Sequence, residues 1–142
     1  MIRVQKETFD PWRELNAFQE AQGPGWAGRF GATAVFVGSL RDFNQGQAVA
    51  GMVLEHYPGM TEGYLEKISA EARARWELLE TLIIHRHGQL LPGDPIVLVA
   101  VWSAQRDAAF AACRYLIDEL KTRAPFWKQE ATPDGARWVK PG

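Results

Sequence analysis

The chain has 142 residues, 46% of them hydrophobic and 23% charged, with a net charge of −1 and a single cysteine. That is the make-up of one soluble globular domain spanning 1–142. It carries no basic excess for nucleic acid, no intrachain disulfide, and no apolar run near the roughly 20 residues of a membrane helix. The N-terminus lacks the apolar core of a signal peptide, so a soluble, cytoplasmic protein is expected.

Ile2–Glu7 alternates weakly and predicts an edge strand. Asp10-Pro11 predicts an N-cap followed by proline in the first helical turn. The helix that follows carries Trp12, Leu15 and Phe18 at helical spacing and ends at Gln22-Gly-Pro-Gly25. Gly31–Leu40 predicts a strand, with turn chemistry at Asn44-Gln45-Gly46. Val49–Tyr57 predicts the next strand, broken by Pro58-Gly59. Thr61 is the expected cap of a helix to Trp76, stapled by Met60 and Leu65, with Tyr64, Leu65, Ile68 and Ala72 on one stripe. Leu79–Gly88 and Pro95–Trp102 read as strands, the second apolar enough to be central. Ser103 opens a helix to about Arg123, and short strands at Phe126–Ala131 and Arg137–Val139 finish the chain. Consecutive strands with short connections favour antiparallel pairing. About three helices on such a sheet predict an α+β fold.

The segment Lys121–Glu130 holds two lysines around Pro125. Proline ends the helix before it, so Lys121 belongs to a last helical turn and Lys128 to an extended segment. A bend of this kind aims two ammonium groups at one spot. Crowding and desolvation lower a lysine's pKa and suit it to anion binding and proton transfer. The plainer alternative is a solvated basic helix end complementing the helix dipole.

Arg106 falls in the first turn of a helix capped by Ser103, where a cation opposes the dipole unless an anion binds. The alternative is a side chain that turns away to pair with Asp107 or Glu119. Arg41, directly after a strand and beside a polar loop, is a second candidate for phosphate contact. His85 and His87 fall on one face of the strand, since side chains alternate with period two, and two such histidines can chelate a metal, but a catalytic zinc wants a third ligand. Packed or hydrogen-bonded histidines are the simpler reading. Cys113 sits on the apolar stripe of its helix and reads as a small hydrophobe. Phosphate-binding and dinucleotide-binding glycine motifs and the nucleophile elbow are absent from the sequence.

Several stretches in order resemble the large, catalytic subunit of molybdopterin synthase, the MoaE family. They are Gly31-Ala-Thr-Ala-Val-Phe36-Val-Gly-Ser-Leu-Arg41, Leu54-Glu-His-Tyr-Pro-Gly-Met60, Ile84-His-Arg-His-Gly88, Ser103-Ala-Gln-Arg-Asp-Ala-Ala-Phe110 and Leu120-Lys-Thr-Arg-Ala-Pro-Phe-Trp-Lys-Gln-Glu130, ending at Trp138. The resemblance implies an α/β-hammerhead-like fold and a sulfurtransferase of molybdenum cofactor biosynthesis. It implies a central homodimer within a heterotetramer. On each side sits a small ubiquitin-like sulfur-carrier subunit, whose Gly-Gly tail ends in a thiocarboxylate. Sulfur passes from that tail to cyclic pyranopterin monophosphate to form the molybdopterin dithiolene. No resident cofactor or metal is implied. Lys121 is implied as the leading catalytic residue with Lys128 in support, and Phe36, Arg41, Gln105 and Arg106 as substrate-binding. The family usually has histidine where this chain has Gln105; glutamine cannot shuttle protons near neutral pH, which favours a positioning role there. The rival reading is a non-catalytic module that binds anions or a peptide tail.

Arg106 and Lys121 are fifteen residues apart on one predicted helix, about 22 Å at 1.5 Å per residue. One copy cannot easily bring both to one small phosphate, so either the substrate bridges a long groove or Gln105 and Arg106 reach the site from a second subunit.

Overall fold

The computed structural model describes residues 1–44 and 46–139, with backbone alone at 127, 129 and 137–139. Gln45 of the expected turn and the side chains of Trp127 and Trp138 therefore lie outside the described residues.

Among the described residues, ten strands and three α-helices follow one another as β1 (Ile2–Gln5), α1 (Pro11–Ala21), β2 (Ala32–Ser39), β3 (Phe43–Asn44), β4 (Gln47–Ala48), β5 (Gly51–His56), α2 (Met60–Arg75), β6 (Glu80–Arg86), β7 (Gly88–Leu90), β8 (Pro95–Ser103), α3 (Arg106–Arg123), β9 (Phe126–Thr132) and β10 (Gly135–Val139). One four-stranded sheet has the order β1-β6-β8-β2 and another β10-β9-β5-β7, while β3 and β4 form a small hairpin. All strand pairs are antiparallel except β1 with β6. The fold is α+β, as expected, and β1 is an edge strand. Its parallel pairing departs from the sequence expectation because its partner comes from far along the chain.

The apolar strand β8 is central and buries both faces. Val97, Val99 and Val101 point with Ile83 into the main core, against Leu116, Ile117 and Leu120 of α3 and Leu65 and Ile68 of α2. Leu98, Ala100 and Trp102 alternate to the other face, where α1 packs Leu15 and Phe18. Trp102 donates its indole N–H to Gln19 Oε1 at 3.1 Å. Trp12 does not join that stripe: it is 58% exposed.

Asp10 caps α1, accepting from the backbone N–H of Trp12 and Arg13, the placement its sequence predicts. The start of α2 differs from expectation. Gly59, at φ 85°, is the cap residue, and Glu62 accepts its N–H at 3.0 Å. Thr61 lies inside the helix, fully buried, accepting from Tyr57 N and donating to Pro125 O at 3.0 Å. It ties the turn before α2 to the bend after α3. Met60 is 64% exposed and staples nothing.

The expected single strand over 79–88 is two strands in two sheets. β6 ends at Arg86, and Gly88, at φ 89°, turns the chain into β7 of the second sheet. Buried Arg86 braces this switch, donating to Lys6 O at 2.9 Å and Gln89 O at 3.3 Å and pairing with Asp94 at 3.5 Å. The switch separates the two histidines. His85 is buried and stacks on Phe126 with ring centres 4.0 Å apart, whereas His87 lies tilted against His56 with ring centres 4.1 Å apart. They do not form the chelating pair that strand alternation would give.

Candidate functional site

A cavity of about 310 Å³ opens where the two sheets meet below the end of α3. The first sheet contributes Phe36, Gly38 and Ser39 of β2, Ile96 and Val97 of β8, and His85 of β6. The second contributes Met52 and Leu54 of β5 and Phe126, Lys128 and Glu130 of β9. Lys121 closes it from α3, and Arg41 and Asn44 from the segment after β2.

The bend that the sequence predicts is present. α3 runs to Arg123, Ala124 leaves helical geometry at ψ 139°, and β9 begins at Phe126 after Pro125. Lys121 thus sits in the last helical turn and Lys128 on a strand, and both face the cavity. The Lys121 ammonium lies 5.7 Å from the ring centre of Phe36, within cation–π range. Lys128 is half-buried, and its pKa is lowered first by desolvation and then by the nearby Lys121 charge, while Glu130 opposes the shift. Arg123, between the two lysines in sequence, instead pairs with Glu119 at 3.3 Å. The lowering on Lys128 therefore comes from burial and Lys121.

Phe36, Arg41, Lys121 and Lys128 are brought together. Gln105 and Arg106 are not. Gln105 is the cap of α3, and Arg106 its first residue; both are exposed and lie at the opposite end of the 18-residue helix. Ser103, expected as the cap, ends β8 instead and donates to Glu77 O at 2.9 Å. Arg106 does not take the pairing offered by Asp107 or Glu119: among the described residues no ion pair involves it.

Three cavity residues have no place in the anion site as read from the sequence. Glu130 is a carboxylate only 4% exposed, with both oxygens taken by Asn44 Nδ2, at 3.2 and 2.9 Å. Its signal was available: Phe126, Lys128 and Glu130 alternate along β9, so one face of that strand carries all three. Asn44 reads locally as turn chemistry and nothing more. His85 was considered as a metal ligand, yet among the described residues no three His, Cys, Asp or Glu side chains are grouped to hold a metal.

His85 Nδ1 lies 2.7 Å from Arg86 O. A carbonyl only accepts, so Nδ1 carries the proton in the neutral ring. Burial, the largest cause, pushes the pKa of this imidazole down to about 4, and the Lys128 charge adds to it. The unfolded chain takes up the histidine proton near its ordinary value of 6.5, and the folded chain resists it until about pH 4. Stability must therefore fall as pH drops through this window, by about 3 kcal/mol for this one group when complete. Denaturant unfolding at pH 7 and pH 4.5 should show a steeper loss for the wild type than for His85→Gln. Equal slopes would mean that His85 does not titrate this way.

The single thiol fits the packing role expected of it. Cys113 is buried in α3, and desolvation pushes its thiol up to about 11. Among the described residues no helix is long and apolar enough to cross a membrane.

Against known proteins, residues 4–123 match the family model described as "MoaE protein". The chain is 58% identical over 139 residues to a molybdopterin synthase catalytic subunit from Pseudomonas aeruginosa, covering 98% of this chain and 89% of that one. Among solved structures it is similar to a molybdopterin biosynthesis MoaE protein from Burkholderia ambifaria, with a TM-score of 0.81, 51% identity, and coverage of 99% of this chain and 89% of that one. A molybdopterin synthase structure from Staphylococcus aureus matches with a TM-score of 0.83 and 31% identity, over 96% and 95% of the two chains.

Proposed function

The chain belongs to the MoaE protein family, and from that premise we propose that it is the catalytic subunit of a molybdopterin synthase. In this reading it is a cytoplasmic sulfurtransferase that moves sulfur from the C-terminal thiocarboxylate of a small ubiquitin-like partner to cyclic pyranopterin monophosphate. The observation that supports it most is the convergence of Lys121, Lys128 and Arg41 on one cavity from a helix end, a strand and a loop.

The chemistry asks little of this chain as a nucleophile, because the partner brings the sulfur. The site must hold two anions, a phosphate and a thiocarboxylate, and manage protons as pterin oxygen departs and the acyl–sulfur bond is cleaved. Arg41 suits the phosphate, since its planar fork matches phosphate oxygens. Lys121, at the cavity mouth, suits the tail, where an ammonium polarises the acyl carbonyl. Lys128, whose basicity is lowered by burial and by the Lys121 charge, is the better suited of the two to give up a proton. Phe36 holds the Lys121 ammonium over its ring face.

Gln105 and Arg106 enter this reading from a second copy. They stand about 22 Å along α3 from Lys121 and do not line the cavity of their own chain. A homodimer that sets the start of one α3 beside the cavity of its partner supplies the missing cation, and a carrier subunit on each side completes a heterotetramer.

The direct test is reconstitution. This chain, a thiocarboxylated carrier and cyclic pyranopterin monophosphate should yield a product heavier by two sulfur atoms in exchange for oxygen, read by mass spectrometry. Stable capture of the carrier tail with no sulfur gained would replace this reading by a tail-binding module.

A further inference from the structure

A buried carboxylate is out of place in a cavity built for anions. Glu130 is 4% exposed and shares the cavity with Lys121, Lys128 and Arg41. Burying a charge is costly unless it is paired and hydrogen-bonded. A lysine could meet that need only by committing its ammonium to the carboxylate, at the expense of any incoming anion. Asn44 meets part of it otherwise: its neutral amide donates to both carboxylate oxygens, at 3.2 and 2.9 Å.

We propose that Asn44 is a positioning residue that holds the Glu130 carboxylate away from Lys128, leaving the Lys128 ammonium available to the anion that enters. This rests on the sulfurtransferase reading for the identity of that anion, but not for the contact itself. Asn44 stands on β3, at the cavity rim, and reaches across to β9. Lys128 and Glu130 lie two residues apart on one face of that strand, within reach of each other. Lys128 is faced by Lys121 from α3, Glu130 from its own strand, His85 from β6, Arg41 from the segment after β2 and the apolar Leu54 from β5. Of these, Glu130 alone is a carboxylate. How its charge is shared therefore decides whether Lys128 is engaged or free.

The β3–β4 hairpin has a second tie to the β9–β10 hairpin, Gln47 Nε2 to Asp134 at 2.9 Å. The two ties separate an electrostatic role from a mechanical one. Asn44→Ala removes its two contacts from the Glu130 carboxylate, and more of that charge then falls on Lys128. The Lys128 Nζ titration, followed by NMR on the free chain, should move up by about one unit, and the alkaline limb of the rate profile should follow it. Sulfur transfer should fall about tenfold. Adding Glu130→Gln to Asn44→Ala should bring the Lys128 titration back down and restore much of the rate, a non-additive cycle. Gln47→Ala, which cuts the other tie, should leave both readouts at wild-type values.

The proposal is overturned if Asn44→Ala leaves the Lys128 titration in place. It is also overturned if Gln47→Ala reproduces the Asn44→Ala effects, or if Glu130→Gln worsens rather than relieves Asn44→Ala. A poorly folded Asn44→Ala chain does not protect it: Glu130→Gln alone must lower the Lys128 titration, and an unmoved value there refutes the coupling. A wild-type chain that transfers no sulfur, yet shows these shifts, keeps the Asn44 role and removes the sulfurtransferase reading.

Discussion

Lys121→Ala should lower sulfur transfer by about a hundredfold or more, the usual cost of removing a group that stabilises transition-state charge or exchanges its proton. The fold should hardly notice. Lys121 is exposed at the end of α3, and its contact with Phe36 is worth about 0.5–1 kcal/mol at such a site. Single-turnover rates with a thiocarboxylated carrier, alongside a melting curve, separate the two effects. Lys121→Arg sharpens the assignment. Arginine keeps the charge but gives up neither a proton nor an amine nucleophile near neutral pH. Partial recovery with arginine marks electrostatic polarisation; none marks proton exchange or acyl acceptance. Wild-type turnover in Lys121→Ala would remove this residue from the chemistry and restore the rival tail-binding module.

The second large effect concerns where Arg106 acts. Arg106→Ala should cost about tenfold to a hundredfold, as expected for a charge-assisted contact to an anion. The informative experiment mixes it with Lys121→Ala. In a two-fold dimer with shared sites, a mixed dimer has one site carrying both defects and one site carrying neither. Random exchange of equal amounts makes about half the dimers mixed, so about a quarter of wild-type activity should return. If Arg106 served the cavity of its own chain, every site in the mixture would keep one defect and no activity would return.

The sequence was most informative where structure is set by neighbours along the chain. Asp10 caps α1, Pro125 ends the path of α3, and the unbroken apolar run of β8 marks the central strand. The bend that carries both lysines followed from the same local rules, and the family resemblance gave it a role. What was hidden depends on partners distant in sequence. Nothing local says that β1 lies parallel to β6, or that Thr61 is drawn inside by Pro125 O. Nor does the alternation of 79–88 reveal a change of sheet at Gly88. The same holds within the site: Asn44 and Glu130 are 86 residues apart, and each looks ordinary alone. The position of Arg106 was legible in part, because helical rise fixes its distance from Lys121 whatever the rest of the chain does.

The change of sheet at Gly88 has a mechanical consequence. The chain passes directly from the first sheet to the second there, and the cavity lies over the seam between them. Lys121 rides on the helix packed against the first sheet, and Lys128 is woven into the second. The spacing of the two ammonium groups is therefore a calliper across the seam. The main core bridges the seam, with Met52, Leu54, Leu90 and Phe126 packed into one cluster with Ile83 and Val97, so any rotation of one sheet against the other works against that shared packing. In the proposed reading, a carrier subunit docking on one sheet would act on that distance only through this shared core.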